Sequence, residues 1–405
     1  MICIILYLVT NGGIFIKILQ VTNYFKPSWE AGGPVRATYE LSKSLVQDGH
    51  KVTVYTTDGY KHRLNVETNK PVLVDGINTY YFKNLSLCFS KNMNFPLPYC
   101  APIIIKREIQ NFDVIHIHDY RTFLAAAIHH YAVKYNIPYI LQPRGSMPLL
   151  GKINQKKVFD YFFGNSLVKD AKRIITSSKV ESSYYYSSLP DLDTSKLIYI
   201  PNGLNIEEYC KLPEKGAFKK KYSINENDLV ILSLGRIHEI KGLNILIEAY
   251  SNLVKFYDNI KLIIAGPDDG YLKKLKELVE NLNLSDQIIF TGPLYEQEKI
   301  KAYVDADIFV LSSMYESFGN VVFEAIACGT PVIITDRCGV SDIVKNEAGF
   351  VIEYDPSQLF NALNVLLSDQ ELRERLGENG IKMVNDYFAW NKIAHSFENI
   401  YKNIS

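Results

Sequence analysis

The sequence predicts an α/β protein of two doubly wound domains. Three observations carry this. The chain is 405 residues long, short apolar runs alternate along it with segments of helical periodicity, and the alternation restarts near its middle. One hydrophobic core seldom grows past about 250–300 residues, so this length favours two. Strands that alternate with helices build parallel sheets, because a parallel pair needs a crossover that a helix supplies. A composition of 47% hydrophobic and 22% charged residues suits a globular chain and excludes a disordered one.

The first strand is expected at Lys17–Thr22. A Gly32-Gly33 loop follows, and Pro34 opens a helix with Val35, Thr38, Leu41 and Leu45 on its inner face. Gly49 stops it, where φ can be positive. Further strands are expected at 52–57, 114–118, 139–142 and 173–177, with helices at 122–135 and 158–169. A short strand at 198–200 leads into Pro201-Asn202-Gly203, a turn signal that places the domain boundary. The second half repeats the pattern with strands at 229–234, 262–265, 288–291, 308–312 and 332–335. Helices are expected at 243–254, 272–282 and 321–328, and an amphipathic helix runs from Phe388 to Tyr401.

The domains are therefore 16–200 and 201–386, with 387–405 returning to the first. Residues 1–15 read as an extension outside the fold: Met1 to Val9 is apolar, but no basic residue leads it and Asn11-Gly12-Gly13 breaks it. The run is too short to span a bilayer.

Charge narrows the function. Forty-four Lys and Arg balance 44 Asp and Glu, which argues against a general nucleic-acid binder. None of the six cysteines stands in C-x-x-C spacing, so they are expected as reduced thiols of a cytosolic protein.

Two segments carry candidate chemistry. In Phe309 to Asn320 a buried strand ends, a polar loop follows, and Gly319 allows close backbone approach before a helix. The free N–H groups of that helix start suit a phosphate. Glu316 precedes the helix and Glu324 lies one turn inside it; carboxylates accept hydrogen bonds from sugar diols. In Leu232 to Gly242, Arg236 offers a planar fork for phosphate oxygens and Lys241 a point charge. On spacing alone, ordinary strand-loop-helix units with solvated charges explain both segments equally well.

Together these segments resemble family 4 of the retaining glycosyltransferases, which has the GT-B fold. Gly235-Arg236 with Lys241-Gly242, and Glu316 seven residues ahead of Glu324, carry the resemblance. Gly32-Gly33-Pro34-Val35-Arg36, Asp113 to Asp119, Pro201-Asn202-Gly203-Leu204 and Glu324 to Ile333 extend it over residues 17 to 401. The resemblance implies two Rossmann-like α/β/α domains facing across a deep cleft, with the C-terminal helix crossing back to the N-domain. It implies that Arg236 and Lys241 bind the diphosphate of a UDP- or GDP-sugar, Glu316 the transferred sugar and Glu324 the ribose. Backbone around Phe318, Gly319 and Asn320, and the close approach allowed by Gly32, Gly33 and Gly235, complete the donor site. The leaving phosphate takes the acceptor's proton, so neither an enzymic nucleophile nor a metal is expected.

His118 is expected at the reacting face. It shares a strand face with His116 but lies nearer the carboxyl end, where such sheets bind ligands; His116 reads as a core histidine. Asp305-Ala306-Asp307 and Asp268-Asp269 read as structural boundaries rather than metal ligands. Arg144 and Gly145, after a strand end, suit the acceptor side. Lys152 to Lys172 mixes lysines with Phe159, Tyr161, Phe162 and Phe163. It reads either as a core-packed helix with a solvated basic face or as a helix lying on an anionic membrane at the inner face.

The leading reading is a retaining hexosyltransferase of cell-surface polysaccharide synthesis, acting on a saccharide or lipid-linked acceptor. A GT-B sugar-nucleotide epimerase and an inactive sugar-nucleotide-binding scaffold are the alternatives. Release of free nucleoside diphosphate separates the transferase from both. The sequence leaves the sugar, the linkage and the oligomeric state open.

Overall fold

The computed structural model describes residues 15–86, 95–147, 153–189, 192–345 and 347–405. All but the last residue of the expected N-terminal extension lies outside the described residues, as do Lys152, Cys3 and Cys88. The chain divides into two compact units. One takes the chain through Ile175, with Ser195–Ile198 and Ala394–Ser405; the other takes Thr176–Thr194 and Tyr199–Ile393.

The first sheet contains β1 (Lys17–Val21), β2 (Lys51–Thr57), β3 (Pro71–Val74), β4 (Ile77–Phe82), β5 (Val114–Ile117), β6 (Tyr139–Leu141), β7 (Arg173–Thr176) and β8 (Leu197–Tyr199). Their order is β3-β4-β2-β1-β5-β6-β7-β8. β1 lies parallel between β2 and β5, with Ile18 opposite both Val52 and Val114. The order reverses at β1 and β5, so their carboxyl ends flank a crevice where such sheets take ligands. β3 is antiparallel to β4 and was not expected from periodicity. Its turn is Asp75-Gly76, both with positive φ (49° and 82°), the twist-matched turn that an Asp-Gly pair favours.

The second sheet contains β9 (Leu229–Leu234), β10 (Ile260–Ala265), β11 (Ile288–Gly292), β12 (Ile308–Leu311), β13 (Val332–Thr335) and β14 (Gly349–Ile352), in the order β11-β10-β9-β12-β13-β14. All its pairs are parallel. Alternate residues feed two cores. Val230, Leu232 and Leu234 of β9 join Phe309 and Leu311 on one side, and Ile231 joins Ile308 and Val310 on the other. Burial on both faces explains why these strands read as continuous apolar runs. Here the reversal falls between β9 and β12. The two candidate segments are the loops that leave these strands.

The helix expected at 158–169 is built differently. Ile153–Phe159 is α-helical, Asp160–Gly164 forms a wider π turn, and Asn165–Asp170 resumes the α-helix. No residue of Ile153–Phe159 is buried. The core-packed reading therefore holds only for the far end, where Gly164, Leu167 and Val168 are buried.

Candidate active site

At the second unit's switch point, glycines let the backbones close up. Gly242 has φ 62°, and a Cβ there would stand 2.0 Å from the Ser312 carbonyl oxygen. The Ser312 hydroxyl donates to the carbonyls of Lys241 and Gly242 at 3.2 and 2.9 Å. The Met314 amide donates to the Ile240 carbonyl at 2.8 Å. These contacts lace the loop after β12 to the turn before the helix Leu243–Leu253. They bring the Lys241 ammonium onto the Glu316 carboxylate, with both side chains largely buried. Gly235 is different: the nearest atom to a Cβ there is Lys241 Cε at 3.9 Å. Gly235, Arg236, Lys241, Ser233, Ile264 and Leu311 share in lining one recess.

Arg236 pairs with Asp269 at 2.5 Å on the exposed side of that recess. The turn holding Glu316 is fixed from behind: its amide donates to the Arg337 carbonyl, and Gly339 N–H donates to the Glu316 carbonyl at 2.8 Å. Gly319 (φ 97°) opens the helix Asn320–Ala327, while Phe318 is buried in the core. Asn320 Oδ1 accepts from Asn202 Nδ2 at 3.1 Å. Glu324 is buried on that helix. Its carboxylate meets Lys299 Nζ at 2.8 Å and accepts from the Tyr303 hydroxyl at 3.0 Å. Burial, with Glu324 beside it, holds the Tyr303 phenol well above its ordinary pKa, so it stays a donor. Sequence reading missed Lys299 and Tyr303, which stand on the helix Glu296–Asp305.

In the first unit two histidines are buried in a hydrogen-bonded cluster. His118 is fully buried, as is His116, with ring centroids 3.8 Å apart. Gln20 Oε1 lies 2.5 Å from His118 Nε2, and Gln20 Nε2 lies 3.3 Å from the Tyr401 hydroxyl. Since Gln20 Oε1 can only accept, His118 Nε2 carries the hydrogen. Nδ1 is then an acceptor, and Arg144 Nε and Nη2 point at it from 3.1 and 3.0 Å. His116 Nδ1 lies 2.7 Å from the Tyr401 hydroxyl. Burial, then the neighbouring His116 and Arg144, pushes His118 well below the usual imidazole range. Burial, then Arg144, does the same to His116.

His118 was expected to face the reaction itself, but its ring nitrogens are engaged and Arg144 covers one of them. Arg144 is only half-buried and has φ 50°, with Gly145 following at φ 78°. A left-handed arginine is uncommon and marks a place where structure has over-determined the backbone. Gly32, at φ 96°, has no atom within 4 Å of a Cβ position, and Gly33 begins the helix Gly33–Gln47.

The acidic pairs are structural. Asp305 accepts the amides of Gly216, Phe218 and Lys219 at 2.5–2.9 Å, and Asp307 accepts that of Val230 at 2.8 Å. Asp268 Oδ1 accepts the amides of Gly270, Tyr271 and Leu272 at 2.9–3.2 Å. The four described cysteines are free thiols.

The family model for glycosyltransferase family 4 matches residues 31–208, and that for glycosyl transferases group 1 matches residues 214–383. The chain belongs to glycosyltransferase family 4. An uncharacterized glycosyltransferase of Methanocaldococcus jannaschii is 28% identical, covering 96% of this chain and 98% of that one. The alpha-monoglucosyldiacylglycerol synthase of Streptococcus pneumoniae is 24% identical over 91% of this chain and 85% of its own. The solved structure of Anabaena HepE with UDP-glucose superposes with a TM-score of 0.74, at 18% identity, covering 96% of this chain and all of that one. The family 4 glycosyltransferase thus has the GT-B fold, with a Rossmann-like sheet in each unit. Among the described residues, no helix is long and apolar enough to cross a membrane.

Proposed function

We propose that this glycosyltransferase moves a hexose or N-acetylhexosamine from a UDP- or GDP-sugar to a saccharide or lipid-linked acceptor, with retention and without a metal. The observation that carries the reading is the Lys241–Glu316 pair at the second switch point, beside the recess that Gly235 leaves open. A diphosphate entering there takes Lys241 and Arg236 as counter-charges, and these stabilise the leaving group. Glu316, released from Lys241, accepts from sugar hydroxyls near the amides of Phe318, Gly319 and Asn320, and Glu324 accepts from the ribose diol. The leaving phosphate takes the acceptor's proton.

On the acceptor side, Arg144, braced by His118, and Gly145 meet the incoming hydroxyl; Gly32 and Gly33 let backbone approach the phosphates. The UDP-glucose held by HepE and the monoglucosyldiacylglycerol for which the pneumococcal relative is named support a nucleotide-sugar donor and a lipid acceptor. Work on such an acceptor suits cell-surface polysaccharide synthesis in the cytoplasm, at the inner face of an anionic membrane. A screen for nucleoside diphosphate release across donors tests the reading. Glu316→Ala and Lys241→Ala should each lower turnover by about 10²–10³-fold, with unfolding midpoints little changed. Unchanged turnover in either variant would remove the site assignment. A donor converted with no nucleoside diphosphate released would favour the epimerase.

A further inference from the structure

The segment Ile153–Gly164 exposes an apolar surface that nothing in the donor chemistry uses. Ile153 is 47% exposed, Val158 58%, Tyr161 76%, Phe162 66% and Phe163 49%. An isolated exposed apolar residue is ordinary, but five within eleven positions form a patch. The local structure explains how three consecutive aromatics come to face outward. Gly164 packs against Tyr120, where a Cβ would stand 2.4 Å from the phenol oxygen. Arg121 grips Asp160 through two bonds, Nε to Oδ1 at 2.8 Å and Nη2 to Oδ2 at 2.7 Å. The π turn Asp160–Gly164 spreads its residues over a wider arc than an α turn does, so anchoring its two ends turns Tyr161, Phe162 and Phe163 outward.

The segment also carries exposed lysines. Lys157, one turn before Tyr161, is exposed, as are Lys169 and Lys172. Of the segment's acids, Asp160 is paired with Arg121, and Asp170 lies 2.9 Å from His129 Nε2. A tyrosine and two phenylalanines in a segment with exposed lysines suit the boundary between lipid headgroups and acyl chains, where the rings enter the interface and the ammonium groups meet phosphates.

We infer that Tyr161, Phe162 and Phe163, with Lys157, Lys169 and Lys172, dock this enzyme on an anionic phospholipid bilayer. The inference deepens the proposed lipid-linked acceptor by naming the surface that brings the enzyme to it, and it rests on that reading. The full chain is mixed with vesicles of phosphatidylcholine alone, or of equal parts phosphatidylcholine and phosphatidylglycerol, and sedimented. Binding should require the anionic lipid. It should fall at least about tenfold in Tyr161→Ser/Phe162→Ser/Phe163→Ser and by less in Lys157→Gln/Lys169→Gln/Lys172→Gln. Both variants should keep wild-type donor turnover on a water-soluble acceptor, which shows that they fold. Equal sedimentation of the wild type and the triple-serine variant, or equal binding to neutral vesicles, would overturn the docking surface. So would a dimer in solution that the serine variant converts to monomer without loss of vesicle binding, since the patch would then cover a second copy. Loss of turnover in Glu316→Ala with vesicle binding intact separates the docking surface from the donor site.

Discussion

At the switch point of the second sheet, full charges face one another: Lys241 meets Glu316, and Lys299 meets Glu324. At the switch point of the first, the imidazoles, amide and phenol that meet one another are neutral. The Tyr401 hydroxyl meets His116 Nδ1 and Gln20 Nε2, Gln20 Oε1 meets His118 Nε2, and the cation above them, Arg144, rests on a neutral imidazole. The two edges share a topology but not a physics. A pair of opposite charges can exchange partners with an anionic ligand at little net loss, because each partner trades one strong contact for another. A buried neutral network gains nothing by opening, since any group left unpaired carries about 1–3 kcal/mol of desolvation penalty. The second edge can therefore be rearranged by an anionic ligand, while the first holds one guanidinium still.

The largest expected effect comes from breaking the backbone closure under the charged pair. Gly242→Ala puts a Cβ within 2.0 Å of the Ser312 carbonyl, where no side chain can yield. With the left-handed backbone added, we expect a loss of about 3 kcal/mol, read as a lower urea midpoint, together with loss of turnover. Gly235→Ala is its counterpart, because its Cβ would meet only the end of Lys241. Its stability should stay within about 0.5 kcal/mol of wild type, while KM for the donor rises. A stable Gly242→Ala enzyme would show that the close approach at Ser312 can relax, and a Gly235→Ala enzyme with unchanged KM would show that the recess is not where the donor binds.

The neutral edge predicts a pH dependence of known sign. Both histidines are held below the unfolded value of about 6.5. Above that value neither state binds the proton, and nothing is lost. Below it the unfolded chain takes up protons that the folded chain refuses, so stability falls as pH falls. Two such groups should remove about 2 kcal/mol between pH 6.5 and pH 5.5. Urea midpoints across this range, with ring-proton NMR signals of His116 and His118 that do not move, would support the locked network. Ring signals titrating near 6.5 would show it open.

How far the sequence foretold this depends on whether the signal is local. β9 and β13 fall on their expected residues, because each is an apolar run closed by a turn or a glycine. The β3–β4 hairpin went unread although its Asp75-Gly76 turn was legible. At the candidate site, Gly235, Arg236, Lys241 and Glu316 could be named because their loops leave strand ends and also carry the family resemblance. Their partners could not. Tyr401 lies 381 residues from Gln20, and only the packing of the helix Trp390–Ile404 brings their hydroxyl and amide together. His118 shares a face with His116, as alternation predicts, but no rule of spacing says that Arg144 will cover it.

Lys299 and Tyr303 pose the same problem on the charged edge, and they sharpen the comparison with the smallest effect. Glu324 is buried, and a buried carboxylate without a counter-charge is strongly disfavoured. Lys299 supplies the charge and Tyr303 a hydrogen bond. If Glu324 holds the ribose, a 2′-deoxynucleoside diphosphate should bind the wild type about tenfold more weakly than the ribonucleotide. Lys299→Met should shrink that ratio to roughly threefold, and Lys299→Arg should restore most of it. Calorimetric titration of both nucleotides into the three proteins measures this. Equal weakening of both nucleotides by Lys299→Met would mean that Lys299 meets a phosphate or the base directly, and the second edge would then hold one exchangeable pair rather than two.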